Sequence, residues 1–276
     1  MRRSSKTFWI VIAASAIYVT ATAKEEVVNS KWCPSPLRID GTRNDWQSAT
    51  LIFEKKVQVD YAFMNDADYL YILFRFNDHN YLSSIDQTGM TVYFNAAGKK
   101  KKDYGVRFFQ NKISALQCIV MLEKREGPLS EEDKNAILAN PHYMIYDFEV
   151  INKKADDKAP KPPGDAKPAI YRVHQDQDKK ISFEMAVPLA RVAELAPGIG
   201  TEPGKMITVG FEWGGLTDAQ KKARMDRFKS RSERMAEKVS ETPAGGTTAS
   251  TARDRRTPKE YDFWVNVDLA DDQTLQ

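Results

Sequence analysis

Two strand-like segments joined by a short polar turn constrain the fold of this chain more than any other feature. The segments are Val57–Met64 and Tyr69–Phe76, and the tetrapeptide Asn65–Asp68 between them is rich in turn-forming residues. Aromatic and aliphatic side chains dominate both segments, and such side chains fit the half-buried surface of a pleated sheet. This arrangement predicts an antiparallel hairpin at the centre of a β-rich domain.

A tight turn and a tryptophan precede this hairpin. Leu37–Asp40 has the character of a short opening strand, Asp40-Gly41 is a typical turn pair, and Trp46 follows a few residues later. We expect Trp46 to be a structural plug that packs the first strand. Together with the hairpin, these features are typical of the start of an antiparallel β-sandwich.

The remainder of the chain continues the strand pattern. Hydrophobic residues make up 42% of the sequence and aromatic residues 11%, which is enough to fill the core of one large β domain. Further strands are predicted at Met90–Asn95, Tyr104–Phe109, Tyr143–Ile151, Ala169–Val173, Ile181–Leu189, Ile207–Trp213 and Tyr261–Leu269. The fold class predicted is therefore all-β, an antiparallel β-sandwich of jelly-roll or immunoglobulin-like type.

Three insertions, at about 111–142, 153–168 and 217–258, interrupt the strands. In the first, Ser130 precedes three acidic residues, which predicts a short capped helix. The second is rich in Lys, Asp and Pro and predicts an exposed loop. The third is basic and predicts a helical insertion before the last strand, which is either a solvated excursion or an arm that docks on a partner.

The first 23 residues have the parts of a secretory signal peptide. Arg2, Arg3 and Lys6 precede an apolar stretch, and small residues favour cleavage after Ala23. We expect export to the periplasm or the extracellular space, a single mature domain of residues 24–276, and no stable membrane insertion after cleavage. An uncleaved anchor is the alternative, although the apolar stretch is at the short end of the roughly 17–25 residues that a spanning helix needs.

Net charge excludes one class of partner. The formal charge is +3 at pH 7, and removal of the three leader cations leaves a net charge of zero, so no nucleic-acid partner is expected. Four consecutive lysines, Lys99–Lys102, fall at a predicted hairpin tip. We interpret them as solvated charge rather than as a site for an anionic polymer.

Two cysteines remain after the leader, Cys33 and Cys118. In an oxidising compartment an even count favours a disulfide, and closing so long a loop contributes about 4–5 kcal/mol of stability in the loop-entropy account. Two separate buried thiols are the equally open alternative.

No catalytic constellation is recognisable. His79, His142 and His174 lack metal-ligand spacing, and the short motifs of serine hydrolases, zinc proteases and nucleotide-binding proteins are missing. A glycosidase carboxylate pair is defined by its separation in space, so the sequence singles out no pair. We therefore expect a protein that is not an enzyme.

The second half of the chain carries a family resemblance. Phe183-Glu184 opens an alternating strand that ends in Val187-Pro188-Leu189, and Gly210-Phe211 follows on the next strand. In this order, and with the turn and tryptophan at the start, the chain resembles family 9 carbohydrate-binding modules and DOMON-like sandwiches. The resemblance runs from about Leu37 to Leu269, interrupted by the insertions. It implies an exported, non-catalytic module that binds carbohydrate.

The resemblance also implies a site, with a departure. In sugar-binding members two tryptophans clamp a terminal sugar, but this chain has Ile85 at one of these places and the region around Arg255 and Arg256 at the other. An arginine that hydrogen-bonds the sugar falls at Arg107, which is therefore a candidate ligand-binding residue.

Three aromatic residues are candidates to replace the missing clamp. Tyr81, Tyr104 and Trp213 are expected near the same face, where a flat ring can stack on a sugar. The alternative for Trp213, and for Trp264, is packing in the core or between the sheets.

Other ligand classes stay open at this point. Asp40, Asp45 and Asp78 invite a calcium site, since related modules often hold calcium, while turn chemistry explains Asp40 without an ion. Related sandwiches also bind haem through Met, His or Lys ligands. Residues considered for such a role are Met64, Met90, Met121 and His79. A structural or interaction module in an envelope assembly, with an envelope protein as partner, is the remaining alternative.

Overall fold

A computed structural model of the chain describes residues 27–156, 159, 160, 162–216, 221–223, 225, 226, 230 and 259–272. The predicted signal peptide and most of the basic insertion lie outside these residues. Export, cleavage and the role of the insertion therefore stay predictions. Within the insertion, the described residues 221–223, 225, 226 and 230 are helical.

The described residues are mostly strands. The strands are β1 (Val27–Asn29), β2 (Lys31–Trp32), β3 (Ile52–Glu54), β4 (Val59–Asn65), β5 (Tyr69–Phe76), β6 (Met90–Asn95), β7 (Tyr104–Ser114), β8 (His142–Asn152), β9 (Ile170–Gln175), β10 (Ile181–Pro188), β11 (Met206–Gly214) and β12 (Glu260–Asp268). The helices are α1 (His79–Thr88), α2 (Ala115–Glu126) and α3 (Glu131–Leu138), and a short 3₁₀ helix spans Asn44–Trp46.

These strands form two sheets, which confirms the predicted sandwich class. Sheet A has the order β1-β12-β11-β6-β7-β8, and sheet B has the order β2-β4-β5-β10-β9 with β3 beside β4. Most pairings are antiparallel, whereas β1 pairs with β12 and β2 pairs with β4 in parallel. The first two strands therefore join opposite sheets, and the two sheets are tied together at the start of the described chain.

Alternating side chains of both sheets build the core between them. Phe74 of sheet B stacks on Phe211 of sheet A at a ring-centroid distance of 5.4 Å, and Phe211 stacks on Phe263 at 4.7 Å. Since successive side chains of a strand point to opposite faces, the remaining side chains of sheet A form its outer face. This alternation decides which residues of sheet A are available to a ligand.

The predicted turn at Asp40-Gly41 is anchored by a distant carboxylate. The Oε2 atom of Glu184, on the outer face of sheet B, accepts hydrogen bonds of 2.8 Å from the backbone N–H groups of both turn residues. Its Oε1 atom accepts a hydrogen bond of 2.8 Å from Nε1 of Trp46. Burial raises the pKa of Glu184, while these three donors oppose the shift.

The hydrogen bonds to Glu184 explain why the predicted strand at Leu37–Asp40 is wrong and why Trp46 is buried as expected. Leu37–Asp40 is not a strand, because the segment crosses the outer face of sheet B and its turn amides bond to Glu184 rather than to a neighbouring strand. Trp46 is fully buried there in a small cluster with Tyr71 and Leu73, so it has the plug role. Gly41 has φ +87°, and an added Cβ would lie 2.8 Å from a backbone carbon of Val173, so only glycine fits this turn.

The helices follow their capping signals. Ser130 accepts a hydrogen bond from the N–H of Asp133, which confirms the short helix predicted in the first insertion. Ser114 and Gln117 form a capping box at the start of α2, a helix that was not predicted. Helix α2 packs beside the long β7–β8 hairpin, and α3 packs on α2.

The cysteines are unpaired, so the disulfide hypothesis is wrong in this structure. Cys33 lies in the cluster around Trp46 on the outer face of sheet B, whereas Cys118 lies on α2 beside the β7–β8 hairpin of sheet A. Burial, together with the charge of Asp66, raises the pKa of Cys33 to about 12. Both residues are buried and behave as small hydrophobic side chains.

Thiol titration checks this arrangement. In unreduced, unfolded protein we expect two thiols per chain to react with a chromogenic disulfide reagent. In the folded protein Cys33 should stay unreactive at neutral pH, because its buried thiol is not ionised. No reactive thiol in the unfolded, unreduced chain would contradict the structure and restore the disulfide.

Candidate functional site

The outer face of sheet A carries a row of aromatic rings and glycines across four strands. Gly105 of β7 pairs with Tyr93 of β6, Tyr93 pairs with Gly210 of β11, and Gly210 pairs with Trp264 of β12. The rings of Tyr93 and Trp264 are nearly parallel, at 21°, with centroids 6.1 Å apart. We call this row the aromatic platform.

The two glycines of the platform let the rings lie flat on the sheet. A Cβ atom added at Gly210 would lie 2.5 to 2.7 Å from three ring carbons of Trp264. One added at Gly105 would lie 2.9 Å from Cδ1 of Tyr93. Such distances are far below van der Waals contact, so the flat arrangement of the rings depends on glycine at both positions.

A row of polar side chains runs beside the platform. Pairing in register aligns Glu149 of β8, Arg107 of β7, Thr91 of β6, Glu212 of β11 and Asp262 of β12. The Nε atom of Arg107 lies 2.9 Å from Oε1 of Glu149, and its guanidinium lies 5.1 Å from the ring centroid of Phe109. These contacts fix the guanidinium, and no hydrogen bond joins its two terminal nitrogens to another described residue.

A cavity of about 610 Å³ opens over the polar row. Its floor includes Arg107, Thr91 and Tyr93, and its sides come from the end of α1, at Thr88, and from Gly214, Leu216 and Lys221. The cavity thus combines a ring, a guanidinium and carboxylates within the size range of small-ligand sites.

Lys102 differs from the solvated lysine that was predicted at the hairpin tip. Its ammonium group contacts Oε2 of Glu212 and lies 3.7 Å from both Oε1 of Glu260 and Oδ2 of Asp262. The interpretation of Lys99–Lys102 as free solvated charge is therefore wrong for Lys102.

The predicted ligand-binding residues fall in different places. Arg107 lies in the cavity floor. Tyr81 and Tyr104 are buried in the core, where their hydroxyls donate hydrogen bonds to the carbonyls of Val57 and Ala196. As a correction, these two rings are part of the fold and do not lie on the outer face of sheet A.

Trp213 combines a core position with contact to the cavity. It is 1% exposed and stacks on Tyr261, as the core alternative predicted, yet it also lines the cavity. Its Nε1 atom is buried and has no hydrogen-bond partner among the described residues. A role for Trp213 in ligand binding stays a prediction.

The positions of the missing clamp are only partly visible. Ile85 is 1% exposed and packs in the core from α1, so it presents no surface to a ligand. Arg255 and Arg256 lie outside the described residues.

Tyr93 and Glu212 were not predicted as site residues, and for Trp264 packing in the core or between the sheets was the alternative to a role at the surface. Strand alternation contains a signal for them: Val92 and Phe94 flank Tyr93 and face the core, as do Phe263 and Val265 on either side of Trp264. Because successive side chains of a strand point to opposite faces, the rings of Tyr93 and Trp264 lie on the outer face of sheet A.

The calcium and haem hypotheses find no support in these positions. Asp40 accepts a hydrogen bond from the N–H of Thr42, and Asp78 caps α1. Within the described part of the chain, no group of three His, Cys, Asp or Glu side chains is placed to hold a metal ion. Met90 is buried in the core between the sheets, whereas Met64 lies in the cluster around Trp46, so these two potential haem ligands are separated by sheet B.

Fold and surface together define a β-sandwich with a ligand-sized cavity on one outer face. No protein-family model and no curated protein matches the chain. Two solved structures of a family 9 carbohydrate-binding module from Caldicellulosiruptor kristjanssonii are similar to it. One, in complex with glucose, is 10% identical with a TM-score of 0.33, covering 71% of this chain and 81% of that chain. The other, in complex with cellotriose, is 11% identical with a TM-score of 0.35, covering 71% and 80%.

Similarity at this level concerns the fold and says nothing about a ligand of this chain.

A separate finding concerns membranes: none of the helices in the described ranges is both long and apolar enough to cross a bilayer.

Proposed function

We propose that this chain is an exported, non-catalytic module that binds carbohydrate on the outer face of sheet A. The observation that carries the proposal is the half-buried ring of Trp264 in the aromatic platform, beside a row of planar polar groups. Pyranose rings present C–H faces that pack on flat aromatic rings, and their hydroxyls bond to guanidinium and carboxylate groups. Arg107 supplies hydrogen-bond donors from the polar row, because its two terminal nitrogens form no hydrogen bond to a described residue.

The non-catalytic part of the proposal follows from ion pairing in the cavity. Glycoside hydrolysis needs one carboxyl group held protonated as a general acid, which calls for an apolar surrounding. Both carboxylates of the cavity contact cations instead, Glu149 through Arg107 and Glu212 through Lys102. Such groups bind and orient a ligand rather than donate a proton to it.

A saccharide screen followed by calorimetry tests the proposal. We expect at least one saccharide to bind the full chain, and Trp264→Ala to weaken binding about five- to thirtyfold, since a lost stacking contact removes about 1–2 kcal/mol. Phe53→Ala is the matched control, because Phe53 is an exposed aromatic residue on sheet B, outside the cavity. No binding to any saccharide, or equal effects of the two variants, would sink the proposal.

A protein-interaction module is the second candidate, favoured by one observation. Leu116 and Val120 lie one turn apart on α2 and are each 66% exposed, and Met144 on β8 is 58% exposed. Apolar side chains left open on an insertion are typical of contact surfaces. An envelope protein as partner, and a role for the basic insertion in contacting it, stay proposals.

A further inference from the structure

Strand β8, the last strand of sheet A, has an open edge. All 11 of its residues pair in continuous register with β7, and no described strand pairs with its other side. An open edge presents unpaired N–H and C=O groups, and proteins commonly protect such edges with lysine, proline or a β-bulge. Strand β8 has none of these three devices. Its edge is therefore a template for one more strand.

The first half of β8 belongs to a ribbon that is only two strands wide. Strand β6 pairs with β7 as far as Phe108, so among the described strands residues 109–114 of β7 pair with residues 142–147 of β8 alone. A two-stranded ribbon is marginally stable and gains from a further strand or a packed face. Helix α2 packs beside this ribbon, yet its exposed residues include Met144.

Two exposed apolar side chains lie on one face of this ribbon. Met144 and Tyr146 are two residues apart and therefore point to the same face. They are 58% and 38% exposed. The ring of Tyr146 stands edge-on to Tyr171 of β9, with centroids 5.2 Å apart, so its position is fixed while part of it stays open. The acidic residues of β8, Asp147 and Glu149, follow this apolar pair.

We propose that β8 pairs antiparallel with β8 of a second copy of this chain, about a twofold axis at Ile145. The two copies of sheet A then form one continuous sheet. Because this axis is perpendicular to the sheet, the outer faces of both copies point the same way. The inference concerns assembly and does not depend on carbohydrate binding.

The pattern of side chains along β8 is self-complementary in this register. Residues directly opposite each other in an antiparallel pair point to the same face, so a twofold axis must pass at a residue. With the axis at Ile145, Met144 of each copy lies opposite Tyr146 of the other, which forms two contacts between a thioether and an aromatic ring. Asp147 lies opposite Tyr143 of the other copy, so no like charges are directly opposed.

Neighbouring registers lack this match. An axis at Met144 sets Tyr146 opposite His142. An axis at Tyr146 sets Met144 opposite Phe148, which already packs against the core of its own copy. An axis at Asp147 sets two carboxylates directly opposite each other, which is destabilising. Of these registers, the one centred on Ile145 brings the two exposed apolar side chains together.

Sedimentation analysis of the full chain, as its host cell processes it, tests the assembly. We expect a dimer at about 10–100 µM protein, since small interfaces bind weakly. Met144→Lys should weaken the dimer about tenfold or more, because lysine on an edge strand opposes pairing. Adding Tyr146→Glu to this variant should restore the dimer, because opposite charges then face each other across the axis. Phe53→Lys, at an exposed aromatic residue of sheet B, is the matched control and should change nothing.

Cross-linking tests the register. Ile145→Cys should form a disulfide between two copies under mild oxidation, because Cβ atoms of directly opposed residues are about 4.5–5.5 Å apart. Asp147→Cys should not, because four residues separate its two copies along the paired strands, or about 13 Å. The parent protein supplies the control for Cys33 and Cys118, which are both buried.

Each outcome decides for or against the proposed dimer. A monomer at every concentration overturns it, as does a dimer that Met144→Lys leaves intact. Cross-linking of Asp147→Cys in place of Ile145→Cys overturns the register. If Met144→Lys melts below the parent protein, the comparison of the two cysteine variants decides alone: a disulfide at position 145 and none at 147 supports the dimer, and any other result contradicts it.

Discussion

Glu184→Ala is expected to lower the free energy of unfolding by about 3–5 kcal/mol. The substitution leaves three donors without an acceptor: the part-buried N–H of Asp40, the buried N–H of Gly41 and the buried indole N–H of Trp46. Denaturant unfolding measures the change.

Two variants test whether the loss of stability comes from the hydrogen bonds that Glu184 accepts. Trp46→Phe removes one of the three donors and should cost less than Glu184→Ala. Glu149→Ala removes an exposed carboxylate whose ion pair within the described part of the chain is with Arg107, so its cost should stay below about 1 kcal/mol. A loss for Glu184→Ala no larger than that for Glu149→Ala would contradict the anchor.

The pH dependence of stability supplies a second readout of Glu184. Its folded pKa is raised above the ordinary value of 4.5, so its contribution to stability is present below that value and is lost as pH rises through the folded pKa. The free-energy advantage of the parent protein over Glu184→Gln should therefore fall as pH increases from 4.5 upward.

The central strands are predictable from sequence because their patterns are local. Tyr69–Phe76 and Met90–Asn95 have the same bounds in the prediction and in the structure, since each is an apolar run bounded by turn or polar residues. The short helix after Ser130 is predictable for a similar reason, because its N-cap and acidic first turn are adjacent in sequence.

Elements that depend on distant partners were missed. Leu37–Asp40 has a strand-like pattern, but its conformation is decided by Glu184, which lies more than a hundred residues further along the chain. Helix α1 lies between two strands and has few buried residues, Tyr81 and Ile85 among them, so its hydrophobic pattern is weak. Tertiary contacts set both outcomes.

The residues of the candidate site also divide into one that the sequence predicted and others that depend on the folded sheet. Arg107 was reached through the family resemblance, whereas the platform was not predicted. Tyr93 and Trp264 are far apart in sequence and meet because the strand order of sheet A puts β11 between β6 and β12. Strand alternation gives the face on which each ring lies, but the register that aligns the rings with Gly210 is a property of the folded sheet.

Gly210→Ala is expected to destabilise the protein by about 1–3 kcal/mol, and this penalty should vanish when Trp264 is also changed to alanine. The added Cβ atom would lie 2.5 Å from Cζ3 of Trp264, so the indole must lift from the sheet or the strands must separate. Alanine has no such conflict once the ring is removed. The four proteins of this double-mutant cycle are compared by denaturant unfolding, with coupling between the two substitutions as the measured quantity.

Gly164→Ala is the matched control, because a Cβ added at Gly164 meets no atom within 4 Å. It should change stability little, and equally with or without Trp264. Gly210→Ala should also weaken saccharide binding, because a lifted indole no longer lies flat on the outer face of sheet A. If Gly210→Ala costs the same in both backgrounds, the ring does not lie across Gly210. The aromatic platform, and the binding surface built on it, would then be wrong.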